Sequence, residues 1–106
     1  MTNLELIRLI GDVIVDIDVL RSTFSRETSN RRKLDDIRDE LDVYQRKLVR
    51  NVIADNTDQF KELTTSLKGI NGTLRQTIED VDKTAQTLET LVKFVSVVQK
   101  VAELAS

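Results

Sequence analysis

The fold is decided by residues 60–104, which read FKELTTSLKGINGTLRQTIEDVDKTAQTLETLVKFVSVVQKVAEL and make up nearly half of the 106-residue chain. Apolar side chains recur there every three or four residues, which is the spacing of one face of an α-helix that packs in a bundle or coiled coil. These positions are Phe60, Leu63, Leu67, Ile70, Leu74, Ile78, Val81, Ala85, Leu88, Val92, Val95, Val98 and Ala102. The spacing predicts helix throughout the stretch, with a small shift of register where two steps of four residues follow each other at Ile78.

The weakest point of this pattern is the pair Gly69 and Gly72, because each glycine inside a helix costs about 1 kcal/mol relative to alanine. Two architectures follow. A turn at the glycine pair splits the stretch and gives four helices in the chain, whereas a continuous helix of about 45 residues extends for about 68 Å as an arm beyond the first two helices. Leu67, Ile70 and Leu74 stay in phase through the glycines, which favours the continuous helix with helical backbone angles at both.

The composition favours an all-α fold. The chain has no proline, three glycines and four aromatic residues, so it lacks the turn residues that many strands require and must build its core from aliphatic side chains. We predict a single domain over residues 1–106: an antiparallel helical bundle of three long helices, or of four if the third is split at Gly69 and Gly72, completed by oligomerisation.

The first helix is predicted to begin at a cap formed by Thr2 or Asn3. Its main apolar stripe is Leu6, Ile10, Val13, Ile17, Leu20 and Phe24. A second row contains Leu4, Ile7, Gly11, Ile14 and Asp18, so the helix is apolar most of the way round and is expected to be buried on more than one side. Gly11 permits close backbone approach by a neighbouring helix, and Asp18 is expected to reach solvent near the helix end.

The second helix is predicted to follow a polar connection at residues 22–30, with Ser29 or Asn30 as its cap. Its apolar stripe is Leu34, Ile37, Leu41, Tyr44, Leu48 and Val52. Oppositely charged residues one turn apart on its outer faces are Arg31 with Asp35, Arg32 with Asp36, Arg38 with Asp42, and Asp42 with Arg46. A further connection at residues 54–58 provides Asn56 or Thr57 as the cap of the third helix.

Residue types argue against catalysis and cofactor binding. Histidine and cysteine are absent, which removes the commonest general base, the thiolate nucleophile and the commonest transition-metal ligands. The acidic cluster of residues 35–42 lacks the spacing of a calcium loop, so we interpret it as a solvated face and not as a metal site. We therefore expect no enzyme activity, no cofactor, no metal and no small-molecule substrate.

Charge and hydropathy narrow the partners and the compartment. A net charge of −2 gives no overall attraction to nucleic acid, and the basic residues of the middle third have acidic partners one turn away. Apolar runs fall short of the roughly 20 residues that span a bilayer, and residues 1–9 carry no basic segment of a secretion signal. These features indicate a cytoplasmic protein.

Both ends of the chain carry more apolar surface than the middle, which predicts that the first and last helices pack together within one chain or between two. The predicted interface residues are Ile7, Gly11, Ile14, Leu91, Phe94, Val95, Val98, Val101 and Ala102. Our leading hypothesis is an oligomerisation or protein-protein interaction module that forms a homo-oligomer, preferably a dimer, or binds a helical partner. The alternative is a membrane-active protein that hides residues 7–20 or 91–105 and inserts them on a trigger.

Overall fold

The structure, a computed structural model, describes residues 3–50 and 58–104 and is an all-α bundle. Its helices are α1 (Asn3–Arg21), α2 (Ser29–Arg50), α3 (Asp58–Glu79) and α4 (Thr84–Leu104), and a short 3-10 turn (Val81–Lys83) lies between the last two. The caps predicted at Thr2 and at Asn56 or Thr57, and the end of the second apolar stripe at Val52, lie outside the described residues.

Each helix packs against two others. The neighbouring pairs are α1 with α2, α3 with α4, α1 with α3, and α2 with α4, so α2 and α3 lie on one diagonal of the bundle and α1 and α4 on the other. The side chain of Gln45 reaches Ile7, which makes α1 and α2 antiparallel. Asn30 and Ala85, near the starts of their helices, line one groove, so α2 and α4 run parallel.

The core is one cluster of buried aliphatic side chains and two phenylalanines contributed by all four helices. The main stripe of α1 is buried as predicted from Leu6 to Leu20, and the α2 stripe is buried at Leu34, Ile37, Leu41 and Leu48. The helices are of similar length, and the longest dimension of the described bundle is 39 Å. Helices of matched length can cover one another's apolar faces from end to end, which explains why the core is continuous.

The prediction of helical backbone at Gly69 and Gly72 is confirmed, because both lie inside α3 and no glycine of the described residues has a positive φ. Leu67, Ile70 and Leu74 are buried in the core, as expected from their phase. The expectation of one continuous helix over residues 60–104 is wrong, and so is the alternative of a turn at the glycine pair. The described residues form four helices because the chain turns later, after Glu79.

The turn is stabilised by local hydrogen bonds that involve an aspartate and a threonine. Asp80 has φ −137° and ψ 88°, its carboxylate accepts from the backbone N–H of Asp82 at 3.3 Å, and its carbonyl oxygen accepts from the N–H of Lys83 at 3.1 Å. The hydroxyl of Thr84 donates to the carbonyl oxygen of Val81 at 2.6 Å. Short polar side chains compete with the helix in this way, so the chain reverses without glycine or proline.

The cap of α2 lies one or two residues earlier in the chain than predicted. The cap of α2 is Thr28, whose hydroxyl oxygen accepts from the N–H of Arg31 at 3.2 Å, while the predicted caps Ser29 and Asn30 lie inside the helix. The guanidinium of Arg31 donates to the carbonyl oxygens of Arg21 and Phe24 at 3.1 and 3.2 Å. One side chain of α2 thus binds the carbonyl group of the last residue of α1 and a second carbonyl group in the connection that follows.

Candidate interaction surface

The residues predicted to form an interface belong mostly to the core of the single chain. The buried ones are Ile14, Leu91, Phe94, Val95, Val98, Val101 and Ala102, and Ile7 and Gly11 are half-buried on the side of α1 that faces α2. The α1 and α4 members lie across the core on a diagonal and contribute to one cluster, while the helices themselves are not direct neighbours. Most of the apolar surface at the two chain ends is therefore covered within the bundle.

Gly11 is approached closely by a side chain of α2, and not by the backbone of a neighbouring helix as predicted. Gln45 of α2 lies over the glycine and donates from Nε2 to the carbonyl oxygen of Ile7 at 3.0 Å. A Cβ atom at Gly11 would lie 3.1 Å from the same nitrogen. The glycine thus makes room for a hydrogen bond between α1 and α2. The sequence alone does not show which helix or side chain occupies the space beside Gly11.

An ionic cluster closes the edge between α1 and α2. Arg21 lies 2.8 Å from Asp18 and 2.8 Å from Asp35, Arg31 lies 3.0 Å from Asp35, and Arg38 lies 3.3 Å from Asp18. The hydrogen bond from Arg21, helped by Arg31, lowers the pKa of the Asp35 carboxyl although partial burial opposes the shift. The same hydrogen bond raises the pKa of Arg21. The cluster is partly exposed and joins the two helices, and its three arginines share two aspartates.

Two of the ion pairs expected within α2 are confirmed, Arg31 with Asp35 and Asp42 with Arg46. Arg38 pairs with Asp18 across the helix boundary and not with Asp42. Asp18 is near the helix end, as expected, but it is half-buried between two arginines and does not extend freely into solvent. Spacing along one helix predicts pairs within that helix only, and pairs between helices require the packing to be known.

Threonine side chains join α3 to α4 close to the turn. The hydroxyls of Thr77 and Thr87 are buried and hydrogen-bonded to each other, and Thr77 also donates to the carbonyl oxygen of Thr73 at 2.8 Å. Sequence reasoning missed this contact, since a threonine on a helix gives no sign of its burial. Each hydroxyl has a partner, so the pair serves the packing of the two helices and offers no free nucleophile.

The outer face of α1 carries the most notable exposed apolar side chains. Leu4, Val15 and Val19 have 70%, 58% and 45% of their surface exposed. Their spacing of eleven and four residues places them on one side of the helix, where the exposed Arg8 and Asp12 also lie. We call these five residues the outer strip of α1. The other large apolar residues that are exposed in the described parts are Val43, Val49, Val81 and Val92, divided among α2, the turn and α4.

The part of the chain that the structure describes offers few residues for other kinds of site. Residues 3–50 and 58–104 contain no group of three or more acidic side chains arranged to hold a metal ion. None of the described helices combines the length and the hydropathy needed to cross a membrane. Grooves beside α4 are lined by threonines and by charged residues of both signs, such as Lys33 and Glu40.

No protein-family model, curated protein sequence or solved structure gives a significant match to this chain. The candidate surface therefore rests on geometry alone. Of the surfaces described, the outer strip of α1 is the one where three aliphatic side chains share a single helical face.

Proposed function

We propose that this protein is a non-enzymatic interaction module that forms a homodimer through the outer strip of α1. The observation that carries the proposal is the exposure of Leu4, Val15 and Val19 on one face of a helix whose other apolar side chains lie in or against the core. Aliphatic side chains gathered on one side of a helix are the usual means by which a helix recognises another helix. The lack of histidine and cysteine supports a role without catalysis.

A second copy of the chain suits this strip because the strip is self-complementary. In an antiparallel pair with its two-fold axis between residues 11 and 12, position 4 faces position 19 and position 8 faces position 15 of the second copy. Leu4 then meets Val19, and the aliphatic stem of Arg8 covers Val15. The guanidinium of Arg8 lies within about one turn of Asp12 of the second copy, so the charges attract.

The outer strip of α1 is narrow, so the dimer is expected to be weak. A contact limited to one helix from each copy buries less than the roughly 1,200 Å² of a standard interface, so the dimer is reversible, with a dissociation constant on the order of 100 µM. A helical protein with a larger complementary groove would bind the same face more tightly. That partner is the competing occupant, and the experiments below separate it from self-association.

Sedimentation equilibrium over micromolar to millimolar concentrations is the direct test. The wild type should show a monomer-dimer equilibrium, and Leu4→Glu should remove it because the new carboxylate is placed against the aliphatic Val19 at both ends of the strip. Val43→Glu is the matched control, since Val43 is 51% exposed on the outside of α2. A wild type that stays monomeric at millimolar concentration, or a Val43→Glu variant that weakens the dimer as much as Leu4→Glu, would refute the proposal.

Charge reversal tests the antiparallel geometry. Arg8→Asp and Asp12→Arg should each weaken the dimer, because each places like charges opposite one another across the two-fold axis. The double variant restores opposite charges at the same positions and should recover wild-type association. Recovery is expected only if two copies of α1 face each other. If the double variant is weaker than both single variants, a different surface forms the dimer.

The alternative of membrane activity has less support. Its two candidate segments, residues 7–20 and 91–105, contribute many of the buried side chains of the core wherever the structure describes them. Insertion would require the bundle to open before any lipid is met. Co-sedimentation with anionic liposomes at low salt checks this reading: binding by the Leu4→Glu variant, which lacks an intact strip, would favour it over the interaction module.

A further inference from the structure

The turn between α3 and α4 depends on a single residue with non-helical backbone. Asp80 has φ −137° and ψ 88°, whereas Val81–Lys83 form a 3-10 turn and Thr84 has helical angles of −57° and −41°. Residues 73–90 contain neither glycine nor proline. Rotation of Asp80 into the helical region, with small adjustments in the 3-10 turn, is therefore enough to join the two helices.

The apolar pattern suits the joined helix better than the turn. Ile78, Val81, Ala85 and Leu88 follow one another at steps of three and four residues, so they form one stripe on a straight helix. In the observed turn Val81 is 40% exposed and Ala85 is also exposed. Two side chains in phase with the core of both helices thus remain outside it.

We propose that α3 and α4 open at Asp80 into one long helix and that α4 then packs into the bundle of a second copy. The occupant is a second copy because the face that α4 would enter is the one it contacts within its own chain, formed by α2 and α3. Every buried contact of α4 is reproduced in the exchanged dimer. The two opened segments meet near the two-fold axis, where Val81 and Ala85 gain neighbours.

Specific hydrogen bonds hold the closed form. The carboxylate of Asp80 accepts from the N–H of Asp82, and the hydroxyl of Thr84 donates to the carbonyl oxygen of Val81. Exchange joins two molecules, so it is favoured by high concentration, while the closed form is favoured by dilution. The proposal uses residues far along the chain from the outer strip of α1 and does not depend on it.

Two substitutions shift the equilibrium in opposite directions. Asp80→Ala removes the capping carboxylate and favours helix, so it should raise the ratio of exchanged to closed form about fivefold per hinge, as for the loss of a typical cap. Val81→Pro should abolish exchange, because proline inside a helix breaks it. The closed form should tolerate this proline better than the helix does, since Asp80 has an extended φ of −137° and a ψ of 88° that is not helical.

Engineered cysteines report which chain supplies α4. The sequence contains no cysteine, so Thr77→Cys with Thr87→Cys introduces a single pair at a contact between α3 and α4. The pair closes within one chain in the closed form and between two chains in the exchanged dimer. All variants carry Leu4→Glu, which removes association through the outer strip, and are refolded at micromolar and at millimolar concentration before oxidation.

Non-reducing gels should show covalent dimers after refolding at millimolar concentration, more of them with Asp80→Ala and none with Val81→Pro. Cysteine-free proteins provide a second measurement by small-angle X-ray scattering, in which residues 58–104 as one helix give a dimension of at least about 70 Å. The closed bundle measures 39 Å. Intrachain disulfides alone in the Asp80→Ala variant at millimolar concentration, or dimers that persist with Val81→Pro, would overturn the proposal.

Discussion

Replacing Gly69 and Gly72 together by alanine should stabilise the protein by about 2 kcal/mol, because each substitution gains about 1 kcal/mol of helix propensity and reduces the freedom of the unfolded chain. The structure supports the full gain at both positions. Each glycine lies inside α3 with helical backbone and is exposed, and an added Cβ would have no atom within 4 Å beyond its own helical turn. With an unfolding entropy of about 2.1 cal/mol/K per residue, the midpoint of thermal unfolding should rise by about 9 °C.

Gly11 provides the matched control within the same molecule. Alanine there gains the same propensity, but its Cβ would lie 3.1 Å from Nε2 of Gln45, so the side chain must move and the hydrogen bond to Ile7, worth about 1 kcal/mol, is weakened. We expect no net gain from Gly11→Ala alone. In a Gln45→Ala background the obstacle is absent, and Gly11→Ala should recover about 1 kcal/mol.

Urea denaturation followed by circular dichroism measures all five proteins, with sedimentation to verify an unchanged oligomeric state. The double glycine variant should raise the transition midpoint at constant slope, since the same surface is exposed on unfolding. A loss of stability in that variant would refute the helical conformation of α3 at these positions. A gain of about 1 kcal/mol from Gly11→Ala in the wild-type background, half that of the double glycine variant, would show that Gln45 does not lie where the structure places it.

Three further predictions concern the core, the threonine contact and the ionic cluster. Leu67→Ala should cost about 2–5 kcal/mol in urea denaturation, because Leu67 is fully buried. Thr77→Val should cost about 1–3 kcal/mol by leaving the hydroxyl of Thr87 without its partner, whereas the double replacement of Thr77 and Thr87 by valine should be close to neutral. Asp35→Asn should lower the free energy of unfolding at pH 7. Because the folded-state pKa of Asp35 is lowered, the stabilisation by the wild-type carboxylate is fully present above the unfolded pKa of about 3.9. It should be lost as the pH falls through the folded value.

Much of the bundle can be predicted from hydrophobic spacing. The buried residues of α1 between Leu6 and Leu20 and those of α2 between Leu34 and Leu48 follow from steps of three and four, since burial on one side of a helix requires that period. The contacts between helices cannot be predicted from this spacing. Gln45 over Gly11 and Arg38 with Asp18 join residues far apart in sequence, and their pairing exists only once α1 and α2 are aligned.

The outer strip of α1 shows why exposure is harder to predict than periodicity. Leu4, Val15 and Val19 belong to a helix that is apolar most of the way round, and the sequence indicated burial on more than one side. The bundle provides two neighbours for α1, namely α2 and α3, and these leave its outer side uncovered. Which apolar residues remain outside depends on where α2 and α3 lie, so the strip could be identified only from the assembled fold.

The position of the turn was missed because local and global terms favour different structures at Asp80. Locally, Ile78 and Val81 continue one apolar stripe, and the glycines that weaken a helix lie earlier in the stretch, at Gly69 and Gly72. Globally, a helix of 45 residues would leave Leu91 to Ala102 uncovered by helices of 19 and 22 residues, whereas folding back buries them. Burial of several aliphatic side chains, worth about 1.5–3 kcal/mol each, far exceeds the cost of interrupting one helix. A second copy can provide the same burial without the interruption, so the stripe that conceals the turn in the sequence is also what makes exchange of α4 between two chains physically accessible.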